Sequence, residues 1–304
     1  MNYDEILTFL AILDGGSIAK AAQTLYISQG TASTRIQQLE RRLGFELFYR
    51  QKGVRHVTLS PQGQEFLPLA RQWYKLNQDA MQLKKNSQMT ELRITALDLI
   101  NSLVFSDIYK SFIKMHPEIL LTIGTQHSSK AYPLIEQRVS DIGFVSGKYN
   151  FPSVYITPLY SEKMVFLYHE KHPFALSQDP HDLVIENEIY LDWSREFRLW
   201  HNQYFDFTRY KKITLGTAVM LQNFIGEPEL WSIVTEGVAR HIIEKFPDMI
   251  FAPIPAPPPE HIIYVIRHRF LEGKVLRVFD VFIAHVIEFI SSTPHRTLLY
   301  RQEL

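Results

Sequence analysis

The sequence has no cysteine, so neither a disulfide nor a thiolate metal site is open to it. It carries no net charge, with 32 Lys+Arg against 32 Asp+Glu, which gives no overall pull toward a polyanion or an acidic membrane. No apolar run approaches the roughly 18 residues that span a bilayer. The longest, such as Met164–Tyr168 and Ile262–Ile266, have the length of strands. The first residues, Met1–Phe9, include Asp4 and Glu5 but no basic cluster, and do not read as a secretory signal. The expectation is a cytoplasmic protein without membrane contact. Enzyme signatures are missing as well: neither Gly-x-Ser-x-Gly nor Gly-x-Gly-x-x-Gly occurs. Gly143 and Gly147-Lys148 fall one residue short of a phosphate loop, and Tyr149 stands where Ser or Thr is required. His169 and His172 have no evident third metal ligand. No enzyme activity, cofactor or metal is expected.

What is present is an ordinary globular composition, 46% hydrophobic and 21% charged, over 304 residues, enough for two or three packed units. The neutral total hides an asymmetry. Residues 1–85 hold 11 basic and 7 acidic side chains, and residues 29–60 hold 6 and 2, whereas the remainder is net acidic. A polyanion-binding module joined to something else has this pattern, although a modest basic face is also common on solvated surfaces.

Residues 1–60 read as short helices and a hairpin. Ile6, Phe9, Leu10 and Leu13 recur at helical spacing until Asp14-Gly15-Gly16 breaks the pattern. Ser17 is placed to cap a second helix over Ile18–Leu25, and Ser28 a third from Gln29. In the third helix Ala32, Ile36, Leu39 and Leu43 share one face. Gln29, Thr31, Thr34, Arg35 and Gln38 lie opposite or on its flanks. Two helices joined by the short turn Tyr26-Ile27-Ser28, the second with a Gln/Thr/Arg face, fit a helix-turn-helix; a plain helical bundle is the alternative. Phe45–Leu59 reads as a hairpin with the basic tip Gln51-Lys52-Gly53-Val54-Arg55-His56, a wing suited to phosphate or minor-groove contact. Ser60-Pro61 then starts a long helix, where Phe66, Leu69, Ala70, Trp73, Leu76, Ala80 and Leu83 form an apolar stripe. That stripe is read as a dimer seam, with packing against its own domain as the alternative.

Residues 1–86 resemble the DNA-binding part of LysR-type transcriptional regulators. The resemblance rests on Phe9, Gly16-Ser17, Ala21-Ala22, Leu25, Ile27-Ser28-Gln29, Ser33, Ile36, Leu39-Glu40, Leu43-Gly44, Leu47-Phe48, Arg50, Leu59-Ser60 and Gly63. Two positions depart from the family pattern: Gly30 replaces the usual Pro, and Thr34 stands where Arg is frequent, with Arg35 next. The resemblance implies that the third helix enters the major groove of double-stranded DNA. Gln29, Gly30, Ser33 and Thr34 hold the matching contact positions, and Thr31, Arg35 and Gln38 are added from the helical face. Arg50, Lys52 and Arg55 are expected on the backbone or minor groove.

From residue 91 strands and helices alternate: a strand at Leu92–Leu97, a helix at Asn101–Lys114, strands at Ile119–Gly124 and Ile142–Val145, and a helix around Ala131–Val139 between them. This βαβαβ order predicts a mostly parallel sheet. His116-Pro117-Glu118, Ser140-Asp141-Ile142-Gly143 and Lys171-His172-Pro173 resemble landmarks of the LysR effector domain. That resemblance implies two α/β lobes like those of periplasmic solute-binding proteins, with crossings near Pro158–Val165 and Ile262–Arg267. The expected organisation is α plus α/β: a winged helix-turn-helix over 1–60, a linker or dimerisation helix over 61–90, and an effector domain over 91–304. Lobe I comprises 91–161 and 267–304, and lobe II 162–266. A small-molecule effector is expected at the C-terminal ends of strands and the N-termini of helices. The candidates are Asp98, Asn101, Ser102, Gln126, His127, Ser128, Ser129 and Ser146, with Trp193, Phe197 and His201 across the cleft. Ser128 and Ser129 open a helix, which favours an anion there. Asp98 has an alternative role as a helix cap, and Trp193 and Phe197 as the buried face of one. The expected assembly is a homodimer, or by resemblance a homotetramer. The competing reading is a solute-binding or enzymatic α/β module whose N-terminal helices serve assembly.

Overall fold

The computed structural model describes residues 2–49, 57–85, 89–205 and 210–301. The chain divides into two compact units: Met1–Met89 with Gln137–Val139, and Thr90–Glu136 with Ser140–Leu304.

The first unit is built from helices whose starts are set by side-chain caps. Helix α1 (Tyr3–Gly15) begins at Asn2, which accepts from the Glu5 amide while the Glu5 carboxylate accepts from the Asn2 amide. Helices α2 (Ile18–Thr24) and α3 (Gln29–Leu43) are capped by Ser17 and Ser28, as their spacing predicts. Helix α3 ends at Gly44, whose φ of 80° is the left-handed conformation that stops a helix. Ile6, Phe9, Ile12, Ala21, Ile36, Leu39, Leu47, Phe48 and Phe66 form the core, each large side chain contributing about 1.5–3 kcal/mol by burial. The hairpin arms pair where expected: Phe48 bridges Leu59, and the Tyr49 amide donates to Thr58 at 2.9 Å. The basic tip, with Arg50, Lys52 and Arg55, lies outside the described residues.

Helix α4 (Pro61–Lys85) starts at Ser60, whose hydroxyl accepts from the Gly63 amide and donates to the Glu46 carbonyl. A Cβ on Gly63 would stand 2.1 Å from the Leu47 carbonyl oxygen, so only glycine lets the helix lie this close to the hairpin. Part of the apolar stripe of α4 follows the alternative read from the sequence, packing against its own domain. Phe66 and Ala70 are buried in the core of their own domain, and Trp73 packs against it. Leu69 and Leu76 are exposed.

The second unit opens with β1 (Thr90–Ala96), a π-helical turn at Ile100–Val104, α5 (Ser106–Met115), β2 (Ile119–Thr125), α6 (Ser128–Glu136) and β3 (Ile142–Val145). The chain continues through β4 (Val154–Glu162), β5 (Met164–His169), α7 (Pro173–Ser177), β6 (Ile189–Leu191), α8 (Arg195–Tyr204), β7 (Ile213–Leu215), β8 (Trp231–Thr235) and α9 (Glu236–Lys245). It ends with β9 (Met249–Pro253), β10 (His261–His268), α10 (Gly273–Ser291) and β11 (Arg296–Leu298). The first lobe is a six-stranded sheet of order β11-β4-β10-β3-β1-β2. Its β3-β1-β2 part is parallel, as the βαβαβ order predicts, while β4, β10 and β11 join antiparallel. The sheet is mixed because two of its strands are also the crossings between lobes. The second lobe holds β8-β5-β9 and the pair β6-β7. Strand β10 lies whole in the six-stranded sheet, pairing His261 with Glu162, so the chain is back in the first lobe at His261, ahead of the boundary drawn after Ile266. Separate apolar clusters fill the lobes, one around Phe105, Phe112, Phe144 and Phe282, another around Leu167, Leu191, Leu221 and Val234.

Candidate nucleic-acid interface and ligand cleft

In α3 the residues Ala32, Ile36 and Leu39 are buried, so the opposite face is bare. Gln29, Gly30, Thr31, Thr34 and Gln38 are exposed there, and Ser33 is half-buried. Gln37 and Arg41, not among the residues expected from the sequence, are also exposed and extend this face toward the end of the helix. Periodicity carried the signal: Gly30, Thr34, Gln37 and Arg41 follow one another at spacings of three and four. Two bonds stiffen the first turn, Ser28 Oγ with Thr31 Oγ1 at 2.8 Å and Thr34 Oγ1 donating to Gly30 O at 2.9 Å. Arg35 departs from expectation. It is half-buried and donates to Asp4 of α1 at 2.8 Å, so its guanidinium is held along the flank instead of outward. The basic residues Lys20, Arg41 and Arg42 remain exposed, Arg42 lying 3.4 Å from the buried Glu5 carboxylate.

The candidate cleft is built where β1, β2 and β3 end. Strand register sets Ala96 beside both Thr125 and Phe144, which brings the following residues, Asp98, Gln126 and Ser146, to one edge. Asp98 accepts from Ser102 Oγ at 3.1 Å and, across the cleft, from Thr217 Oγ1 of the second lobe at 3.1 Å. No cation pairs with Asp98 among the described residues. Nothing in the local sequence marks Thr217, because its role arises only when the two lobes meet. The segment after Asp98 also touches both lobes. Ile100, Val104 and Phe105 belong to the first core, while Leu99 and Leu103 pack on the second. The π turn between them closes with Phe105 N donating to Ile100 O at 2.8 Å, a local widening often found at functional sites.

The other candidates separate. Asn101 is fully engaged in the scaffold: its amide donates to Gly124 O and Thr125 Oγ1, and its carbonyl accepts from Tyr109 Oη at 2.7 Å. Burial pushes the Tyr109 phenol up, keeping it a donor. Ser128 Oγ accepts from the amides of Ser146 and Gly147, tying the start of α6 to the loop after β3. Gln126, His127 and Ser129 are exposed at that rim, and His127 O receives the first amides of α6. Trp193 donates to Ile233 O at 2.8 Å and its ring meets His261 at 5.0 Å. Phe197 and His201 are not cleft residues. Both are buried in the second lobe among Tyr190, Phe205 and Trp231, and His201 Nε2 lies 2.9 Å from both oxygens of the buried Glu188. Their spacing of four on α8 is that of a helix burying one face; the sequence offered that alternative for Phe197 together with Trp193, which precedes the helix, and not for His201.

Behind the cleft the crossing strands meet a buried polar cluster. Glu162, at the end of β4, accepts from Arg296 Nε at 2.5 Å, and His295 Nε2 is 3.9 Å away. A Cβ on Gly237, in the first turn of α9, would lie 2.8 Å from Glu162 Oε1 and 3.1 Å from His295 Nε2. Glycine there lets the second lobe's helix close on the first lobe's carboxylate, which its N-terminal dipole favours. His261, paired in register with Glu162, is buried, and that burial lowers its pKa to about 4.

A helix-turn-helix with an exposed polar face in one unit and two α/β lobes in the other are the arrangement of DNA-binding transcription regulators that carry an effector domain. Residues 3–64 match the family model of bacterial regulatory helix-turn-helix proteins of the lysR family, and residues 85–286 match the LysR substrate-binding domain. The chain belongs to the LysR family. The transcriptional activator protein LysR of Escherichia coli is 28% identical over 214 residues, 67% of each chain. The regulator CysL of Bacillus subtilis is 25% identical, over 63% of this chain and 64% of its own length. Among solved structures, a full-length cysteine-to-aspartate variant of OxyR from Pseudomonas aeruginosa has a TM-score of 0.70 at 18% identity, covering 100% of this chain and 99% of that one. CbnR in complex with its target DNA has a TM-score of 0.67 at 19% identity, covering 95% and 100%. At those identities the structural matches show the fold. No helix among the described residues is long and apolar enough to cross a membrane.

Proposed function

We propose that this chain binds double-stranded DNA sequence-specifically through α3, and that a small molecule held between the two α/β lobes modulates that binding. The observation that carries the proposal is the polar outer face of α3, exposed opposite the buried Ala32, Ile36 and Leu39. Gln29, Gly30, Thr31, Ser33, Thr34 and Gln38 are assigned to the groove, where Gln matches adenine bidentately. Arg50, Lys52 and Arg55 of the wing are assigned to phosphates. Arg35 joins them only by exchanging Asp4 for DNA. In the cleft, Asp98, Ser102, Gln126, His127, Ser129, Ser146 and Trp193 are assigned to the effector, with Thr217 added and Ser128 and Asn101 positioning the rim. Leu69 and Leu76, exposed on α4, support a homodimer or homotetramer. A role on chromosomal DNA supports a cytoplasmic location, and no catalytic step is assigned.

A gel shift on the duplex flanking the chain's own gene, at two salt concentrations and beside Gln38→Ala and Lys52→Ala, tests this. The expected result is a discrete complex that survives competitor DNA, loses its site preference in Gln38→Ala and weakens on all sequences in Lys52→Ala. Absence of any complex at low salt would overturn the reading and favour an assembly role for the N-terminal helices.

A further inference from the structure

Among the described residues of the second unit, the buried carboxylates Asp141, Glu162 and Glu188 each face a basic side chain: Arg93, Arg296 and His201 respectively. Asp98 is different. It is half-buried at the cleft edge, where Ser102 Oγ donates to its Oδ1 and Thr217 Oγ1 to its Oδ2, both at 3.1 Å. No basic side chain pairs with it among the described residues. Nor does it cap a helix, the other role open to it from the sequence. No backbone amide among the described residues donates to its carboxylate, and the π turn that follows has no side-chain cap. The fold thus gains neither an ion pair nor a cap from Asp98. It gains two hydroxyl bonds, which a neutral Asn would make as well.

The rest of the cleft does not supply the missing charge. His261, on the crossing strand and 5.0 Å from the Trp193 ring, is held neutral by burial, its pKa lowered to about 4. The sequence favours an anion at the start of α6. The structure removes part of that welcome, because the amides of Ser146 and Gly147 beside it donate to Ser128 Oγ. An ionised carboxylate accepts at about four lone-pair sites, of which the two hydroxyls fill two. When lobes close on a ligand, water leaves, and a carboxylate without a counter-charge is penalised. An anionic ligand adds repulsion, whereas a cation with N–H donors removes both costs. We propose that the effector is an organic cation, carrying an ammonium or guanidinium group whose N–H donors take the remaining lone pairs of Asp98. The proposal rests on the reading of the cleft as a small-molecule site. Ser102 and Thr217, one from each lobe, fix the carboxylate's orientation. The cation therefore binds at a point that both lobes hold, which couples its arrival to lobe closure.

The test uses probes that share a short aliphatic chain and differ in their ends. The compounds 1,5-diaminopentane and agmatine are cations, glutarate is an anion, and 1,5-pentanediol is neutral. Each is added to the full chain at fixed ionic strength, and melting temperature and calorimetric Kd are measured. A ligand of the folded form raises the melting temperature by mass action. At least one cation is expected to do so, and glutarate and pentanediol are not. Asp98→Asn should weaken the cation on the order of 10- to 100-fold, the loss of hydrogen bonds to a charged group. Thr217→Val removes one hydroxyl and leaves the charge, so it should keep the greater part of the affinity. Asp98→Glu keeps the charge one methylene further out and should bind the cation more tightly than Asp98→Asn, even if both variants are less stable than the parent. That order of affinities supports the proposal. Equal cation binding by the parent and Asp98→Asn overturns it. A shift with glutarate alone overturns it and leaves the cleft reading standing. Silence from all four probes overturns both.

Discussion

Arg35 Nη2 lies 2.8 Å from Asp4 Oδ2, so the most basic candidate on the recognition helix is held by the helix that packs behind it. The pair is partly exposed and contributes little to stability, roughly 0–1 kcal/mol. It competes directly with a phosphate for the same guanidinium. Asp4→Asn is therefore expected to tighten DNA binding several-fold at low salt and to steepen the salt dependence by about one phosphate's worth. Binding isotherms at four salt concentrations check this; an unchanged slope would mean that Arg35 stays on the flank in the complex.

Thr217 supplies a hydroxyl from the second lobe to the Asp98 carboxylate of the first. Thr217→Val keeps the volume and removes the bond, at a cost of about 1 kcal/mol. The consequence expected is local: faster hydrogen exchange over the π turn at 100–104, whose Leu99 and Leu103 flank share the same lobe contact. Protection in α10 should stay as in the parent. Uniform loss of protection would instead report a weakened fold.

Gly237→Ala places a methyl 2.8 Å from Glu162 Oε1, and the Arg296 bond keeps that carboxylate from moving aside. Overpacking of this kind costs about 1–3 kcal/mol. Urea unfolding should show that loss. Because the strain lies between the lobes, Gly237→Ala should cost less when made in a Glu162→Ala background than in the parent, a coupling that a helix-propensity effect at Gly237 would not show.

Acid sensitivity follows from the buried histidines. Burial lowers the pKa of His261 from 6.5 to about 4, and burial also lowers those of His172, His241 and His295. A lowered histidine pKa means that the unfolded chain takes the proton first. Stability is therefore complete above about pH 6.5 and falls as pH drops toward 4, where the His261 contribution reaches about 3 kcal/mol. Unfolding free energies at pH 7, 6, 5 and 4 should fall more steeply for the parent than for His261→Gln; parallel curves would assign the acid sensitivity to the other groups.

The helix starts were legible because caps are local: Ser17, Ser28 and Ser60 each precede the helix they cap by one residue. The parallel part of the first sheet was legible from the alternation of short apolar strands with amphipathic helices. Pairings across the fold were not. Asp4 is 31 residues from Arg35, and Thr217 is 119 from Asp98, distances at which no periodicity connects a donor to its acceptor. His201 looked like a ligand because it is polar. Its partner Glu188 lies on a different element, and only the packed lobe shows that each satisfies the other. The π turn escaped for another reason: one widened turn leaves the apolar spacing of a helix nearly unchanged.

Glu162 and His261 are register partners on neighbouring strands. The whole second lobe, about a hundred residues, therefore leaves and re-enters the first through a gap of roughly 4.8 Å, the spacing of two paired strands. Topologically it is a cassette inserted into a hairpin loop. A hairpin turn spans the same gap, so the first lobe's sheet has a complete strand order without the insert. The length of the insert is therefore independent of the register of the sheet that carries it, because only its two ends are held at that spacing.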